Sequence, residues 1–325
     1  MTREVPLFVR DLLASPPRAG DGVHNWLFRV ARQLHAHLPA GEIVALLETL
    51  AAKCGRHVSP KEIEDAVKNS SGYAWRPGGV STSFKPAGAS KWPEKNLERI
   101  EAICAEGYGL VDLWEQSPVR LEDNQPHTEE VIDRLFPENP LLCCGHSKFR
   151  FDTRPREQWR GRLSQLQLIV PSPMAKVVGK TREGKDSRHT LEATGPRRFL
   201  VVECDFSIYA LDGTTETKAA PLIRKLSREG IEVADMCAAV LLHLAQFAPM
   251  VCAVHSGGKS VHGWFLVQGQ PEEKLLRFMR YAVSIGGDHA GWTRSQFMRM
   301  PDGTRDNGER QTVYFLSFKP LEATR

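Results

Sequence analysis

Met250-Val-Cys-Ala-Val-His-Ser-Gly-Gly-Lys-Ser-Val-His-Gly-Trp-Phe-Leu-Val267 decides the fold. Two apolar, β-branched runs, Met250–His255 and Val261–Val267, flank Ser256-Gly-Gly-Lys-Ser260, which predicts two strands joined by a glycine-rich turn. Upstream, Phe199–Asp205 reads as a strand, and Ala219–Arg228 and Val233–Phe247 read as helices. Downstream, Pro271–Ile285 reads as a helix with Leu275, Leu276, Phe278, Met279 and Ala282 on its apolar face. Gln311–Phe318 reads as a last strand. The order β-α-β-β-α-β predicts an α+β chain built around a ferredoxin-type split unit.

The flanking segments set the domain organisation. Trp26, Leu27, Val30, Ala31 and Leu34 recur at helical spacing, as do Ile43, Leu46, Leu47 and Leu50. Ser59-Pro60 with Glu62 opens a third short helix through Ile63, Ala66 and Val67. Residues 1–75 therefore read as a small all-α domain. Residues 76–92 are dominated by proline, glycine and serine and read as a linker. Residues 93–325 form the larger domain, its motif-bearing part at 140–325. Within it, helices are expected near 93–106 and 128–135. Gln165–Val170 reads as a strand and 179–190 as a basic loop.

Composition narrows the class. A chain of 325 residues with 41% hydrophobic and 25% charged residues can bury a core without staples. No apolar run reaches the roughly 18 residues of a membrane span, and the start carries no secretion signal. The seven cysteines contain no C-x-x-C pair, so neither a disulfide framework nor a zinc ribbon is indicated. Cys143-Cys144-Gly145-His146 has no partner pair at ligand spacing, and no zinc is expected there. Reduced thiols fit a cytoplasmic location, with no membrane partner. The net charge of +4 is unevenly placed. Residues 139–198 hold 13 basic and 5 acidic side chains, whereas 199–325 hold 14 of each. That block reads as a phosphate-contacting surface or as a solvated face.

The chemistry-bearing residues lie on the split unit. Glu203 and Asp205, two apart on a strand, share a face and repel unless a cation lies between them. Gly258-Lys259-Ser260 resembles the end of a phosphate-binding loop. Ala253 stands where that motif needs glycine, and a strand follows where it needs a helix. What remains is a glycine-rich turn with free amides, Lys259, two hydroxyls and His262 behind it, which suits a triphosphate tail. Asp288 follows the long helix, and Arg294, Arg299 and Arg305 follow Asp288.

The succession Glu203-Cys-Asp205, then Ser260-Val-His262, then Asp288 with Arg299-Met-Pro-Asp-Gly303 resembles the archaeo-eukaryotic primase (primase-polymerase) superfamily. The resemblance covers roughly residues 140–325. It implies an RRM-like catalytic unit packed on an α/β module. Glu203, Asp205 and Asp288 would bind two catalytic Mg2+ or Mn2+ ions. His262, with Ser260, would contact the nucleotide phosphates, and charge and position add Lys259 and Arg299. Glu203 stands where the superfamily often has aspartate, and Gly287 where it has a bulky apolar residue. The N-terminal helices resemble a primase-associated helical (PriCT-like) domain.

The implied activity is template-directed nucleotidyl transfer from NTPs or dNTPs on single-stranded DNA, typical of mobile replicons. A helicase would be a separately encoded chain. Arg150, Arg154, Arg160, Arg182, Lys185 and Arg188 would track the template backbone. Trp159, Trp264 and Trp292 are stacking candidates, with buried core as the competing role. The alternatives are a non-catalytic replication-initiation or nucleic-acid-binding protein, and a metal-dependent nuclease.

Overall fold

The computed structural model describes residues 12–18, 22–35, 37–71, 92–122, 125–210 and 213–322. Apart from Trp92, the expected linker 76–92 lies outside them. The chain divides into two compact units, one comprising Met1–Pro77 with Gln246–Pro249 and the other Gly78–Ala245 with Met250–Arg325.

In the first unit three helices close on one core: α1 (Val23–Leu34), α2 (Ala40–Ala51) and α3 (Pro60–Ser71). Trp26, Leu27, Val30 and Leu34 pack with Ile43, Leu47, Ile63 and Val67, the apolar stripes of the three periods. Ser59 accepts from the Glu62 N–H at 3.2 Å, which starts α3 with Pro60 at its first position.

The second unit begins with α4 (Leu97–Cys104), α5 (Leu110–Glu115) and α6 (Thr128–Leu135). The strands β1 (Leu141–Gly145), β2 (Phe151–Pro155) and β3 (Leu168–Ile169) follow. A short ribbon pairs β4 (Gly179–Lys180) with β5 (Asp186–Ser187), where a plain loop was expected. Next come β6 (Phe199–Cys204), α7 (Ala220–Arg228), α8 (Val233–Ala245), β7 (Met250–His255) and β8 (Val261–Leu266). The chain closes with α9 (Glu272–Ser284), β9 (Met298–Arg299), β10 (Val313–Leu316) and α10 (Lys319–Glu322).

The chain is mixed α+β, and its sheets are antiparallel. The first has the order β2-β1-β3-β9 and the second β10-β7-β8-β6. The second sheet follows the expected element order but departs from a ferredoxin-type unit in one placement. Such a unit sets its last strand against its first, whereas β10 pairs with β7 at the opposite edge. The outer edge of β6 is already taken. After α9 the chain runs along it, bridging Gly287 to Cys204 and donating from the Asp288 N–H to the Glu203 carbonyl at 2.9 Å. The same segment then contributes β9 to the first sheet.

Both sheets face one core. Alternation places Phe199, Val201 and Glu203 on the same side of β6. Phe199 and Val201 pack with Trp264, Phe136, Leu142, Ile169 and Met298, so that side faces the first sheet. The other side lies under α8, where Gly263 lets the helix approach, since a Cβ there would stand 2.5 Å from a Leu241 methyl. Among the described residues no helix is long and apolar enough to cross a membrane.

Candidate active site

Glu203 is the last residue of β6 to point toward the first sheet, and His262 is its cross-strand partner on β8. The His262 Nε2 lies 3.5 Å from the Glu203 Oε1 and 3.4 Å from the Ser260 Oγ. The Ser260 hydroxyl favours the ionised form of the Glu203 carboxyl. His262 is buried, and its Nδ1 has no hydrogen-bond partner among the described residues. Burial, helped by Arg299 and His255, pushes its pKa from 6.5 down to about 3. The imidazole is therefore neutral at physiological pH, so it can meet a phosphate by hydrogen bonding but not as a cation.

Two further carboxylates flank Glu203. Asp205 lies just beyond β6, with one oxygen taking a hydrogen bond from the Ser207 hydroxyl at 3.0 Å. Asp288 is placed by its own N–H on the Glu203 carbonyl, and its Oδ1 caps the Ala290 N–H at 2.9 Å. Burial first, then the charges of Asp288 and Asp205, hold the Glu203 carboxyl above the usual range, while Arg299 and Ser260 oppose the shift. Three hard oxygen donors carrying such excess negative charge are the chemistry a divalent cation satisfies. Each carboxylate is engaged by a local partner: Glu203 lies beside His262, Asp205 accepts from Ser207 and Asp288 from the Ala290 N–H. Among the described residues no three His, Cys, Asp or Glu side chains are grouped closely enough to hold a metal ion. Donor type therefore fits Mg2+ or Mn2+, and side-chain rotation would be needed to gather the ligands.

The loop that delivers Asp288 is tightly made. Gly286 has φ 120°, and a Cβ there would meet the Phe206 ring at 2.4 Å. A Cβ on Gly287 would come within 3.0 Å of the Ala282 carbonyl and of Val202. A larger side chain at 287 would therefore have to displace the Ala282 turn or Val202.

Positive charge gathers on the facing side. Arg299, from β9 of the first sheet, donates to the Gln167 Oε1 at 3.0 Å. Burial and then Arg305 hold its pKa below the ordinary value, while Glu203 opposes the shift. Arg305 donates to the Gly257 carbonyl at 2.9 Å and braces the Ser256–Ser260 turn, in which Gly257 takes φ 70°. Lys259 is exposed on that turn. Lys95, which the sequence reading missed, lies 5.6 Å over the Phe206 ring and acts electrostatically on Cys204. Gln167 was missed too. It takes Arg299 on its carbonyl and donates its amide to the His146 carbonyl, which sets the position of Arg299 within the first sheet. Neither residue belongs to a motif, and their sequence distance from Glu203 left no local signal.

The six arginines and lysines expected on a template surface are more dispersed. Arg154 and Arg188 both pair with Asp152, and Arg160 pairs with Glu157 and Asp133. Arg182 and Lys185 belong to the turn between β4 and β5, and Arg150 lines a cleft beside β1. Trp159 and Trp264 are buried in the core, and Trp292 is covered by the Arg197 guanidinium at 4.6 Å. Compared with known proteins, the chain matches no protein-family model, no curated protein and no solved structure.

Proposed function

We propose that the chain is a primase-polymerase of archaeo-eukaryotic primase type, catalysing template-directed nucleotidyl transfer on single-stranded DNA. The observation that carries this reading is the opposition of Glu203, Asp205 and Asp288 to Arg299, Arg305 and the Ser256–Ser260 turn, with neutral His262 between them. An acidic cluster beside a glycine-rich turn and cations suits a nucleotide triphosphate better than a simple hydrolytic substrate. The element order of the second sheet supports an RRM-like unit, and its displaced last strand counts against a strict ferredoxin-type one. Seven reduced thiols support a cytoplasmic setting.

In this reading Glu203, Asp205 and Asp288 would hold two divalent ions. Those ions, when bound, would activate the attacking 3′-hydroxyl and neutralise the pyrophosphate leaving group. The chain's own contribution is positional. Ser260 and His262 hydrogen-bond the triphosphate, Lys259 reaches it from the turn, and Arg299 and Arg305 balance its charge. Gln167 fixes the angle at which Arg299 enters.

A second reading is a nucleic-acid-binding protein without turnover. The local partners that engage each carboxylate favour it. The deciding experiment is synthesis on single-stranded DNA with labelled ribo- and deoxynucleotides, in Mg2+ and then Mn2+, with Asp205→Ala alongside. Labelled products from the wild type only support the enzyme. DNA binding with no product in either metal, with and without a primer, supports the binding protein.

A further inference from the structure

The β1–β2 hairpin presents a surface that the acidic cluster does not use. A cleft of about 460 Å³ lies against it, lined by Arg150, Arg154 and Arg162 and reaching the largely buried Trp159. Among the described residues, Asp152 is the only carboxylate on its wall. Arg154 pairs with Asp152 at 2.6 Å and lies 5.1 Å over the Trp159 ring, so its guanidinium is held in place. Arg150 and Arg162 are exposed and form no ion pair among the described residues. Beside Arg150, at the hairpin tip, Phe149 is 96% exposed. The tip is defined by hydrogen bonds, since the Ser147 Oγ accepts from the N–H groups of Phe149 at 3.2 Å and Arg150 at 3.0 Å. A phenyl ring on an ordered tip, flanked by Lys148 and Arg150, costs apolar hydration unless something covers it.

We propose that this cleft and tip bind single-stranded DNA, with backbone phosphates among Arg150, Arg154 and Arg162 and one unstacked base on the Phe149 ring. Aromatic faces beside guanidinium groups are the pairing such strands require, and a duplex offers no free base face to the ring. Gln167 donates to the His146 carbonyl at the hairpin tip and accepts from Arg299 on β9, so the tip is hydrogen-bonded to the rest of the first sheet. The inference rests on the single-stranded-DNA reading above for the choice of strand.

The test is fluorescence anisotropy of labelled dT oligomers of 5, 10 and 20 nucleotides, and of a duplex, without nucleotides or metal. It uses the wild type, Phe149→Ala, Phe149→Trp and Arg150→Ala/Arg162→Ala. Phe149→Ala should weaken single-strand binding at least about fivefold and leave duplex binding unchanged. Phe149→Trp should restore the loss. The double arginine variant should flatten the slope of log affinity against log salt by about 1.4. Cleft variants that keep wild-type affinity and slope overturn the proposal. If that happens while the wild type synthesises DNA, the cleft inference falls alone. If the variants lose binding and the wild type makes no product in either metal, the cleft stands and the synthesis reading falls.

Discussion

The His262 Nε2 stands 3.5 Å from the Glu203 Oε1, directly across the β6–β8 ladder, and the imidazole is neutral. A neutral histidine beside a carboxylate whose pKa is raised leaves the negative charge of the cluster uncompensated from that side. Glu203 is therefore costly to keep ionised in the folded protein. Its folded pKa lies above the unfolded one, so folding is weakened as pH rises through the carboxylate range. Glu203→Gln should raise or maintain the thermal midpoint of the metal-free protein, read by differential scanning fluorimetry. The same variant should lower synthesis at least 100-fold. A fall of several degrees would show that the carboxylate stabilises the fold.

Gly286 allows Asp288 to reach β6. Gly286→Ala sets a Cβ against the Phe206 ring in a left-handed backbone, and the expected loss is about 2 kcal/mol. Urea unfolding should show it as an earlier midpoint at unchanged m. Gly184, also at positive φ but with open space around its Cβ, should tolerate alanine better.

Gln167 is buried and satisfies Arg299 and the His146 carbonyl together. Gln167→Ala leaves both without that amide and should cost about 1–3 kcal/mol of stability. In the enzyme reading it should raise the KM for nucleotide several-fold with a smaller change in kcat, because Arg299 loses its aim. Gln167→Glu should restore the contact to Arg299 and remove the donor to His146. Equal KM values for all three proteins would show that Arg299 does not meet the nucleotide.

All seven cysteines are free and buried. Burial pushes the Cys104 thiol up to about 11 and the Cys143 thiol up to about 12. Both remain protonated and shielded at neutral pH. Ellman's reagent should find almost no reactive thiol in the native protein and seven in guanidinium. Rapid reaction of one or more native thiols would contradict the packing around them.

His189 stacks on Phe297 with ring centroids 4.0 Å apart, and burial lowers its pKa below 6.5. The unfolded chain then binds a proton that the folded one does not. Stability should fall as pH drops below about 6.5, by up to about 1.4 kcal/mol per unit for this one group. His189→Phe keeps the stack and should flatten that part of the profile, read as urea midpoints between pH 5 and 7.5. An identical slope in both proteins would assign the acid sensitivity elsewhere.

Local pattern carried much of this protein. The apolar runs at Phe199, Met250 and Val261 specified strands because β-branched and apolar residues in runs of five or six suit a sheet covered on both sides. The helices at Ala220, Val233 and Glu272 were legible from their periodicity, and Glu203, Asp205 and His262 from their positions at strand ends. The first sheet was legible only in part. Gln165–Val170 read as a strand and holds β3, but Leu141–Gly145 looked like a cysteine cluster, and β9 is two residues long, too short to show a period. The partner of β10 was equally hidden, because strand pairing depends on which edge is free, and the segment around Gly287 had covered β6. Charge counting found the arginine-rich block but not that Asp152 takes up two of its members. By itself the sequence determined the segments and the acids at their ends, because those depend on neighbours along the chain. Only the tertiary structure decided what surrounds those acids, because Arg299 acts on Glu203 from β9 and is held there by Gln167, through long-range packing that leaves no periodic trace.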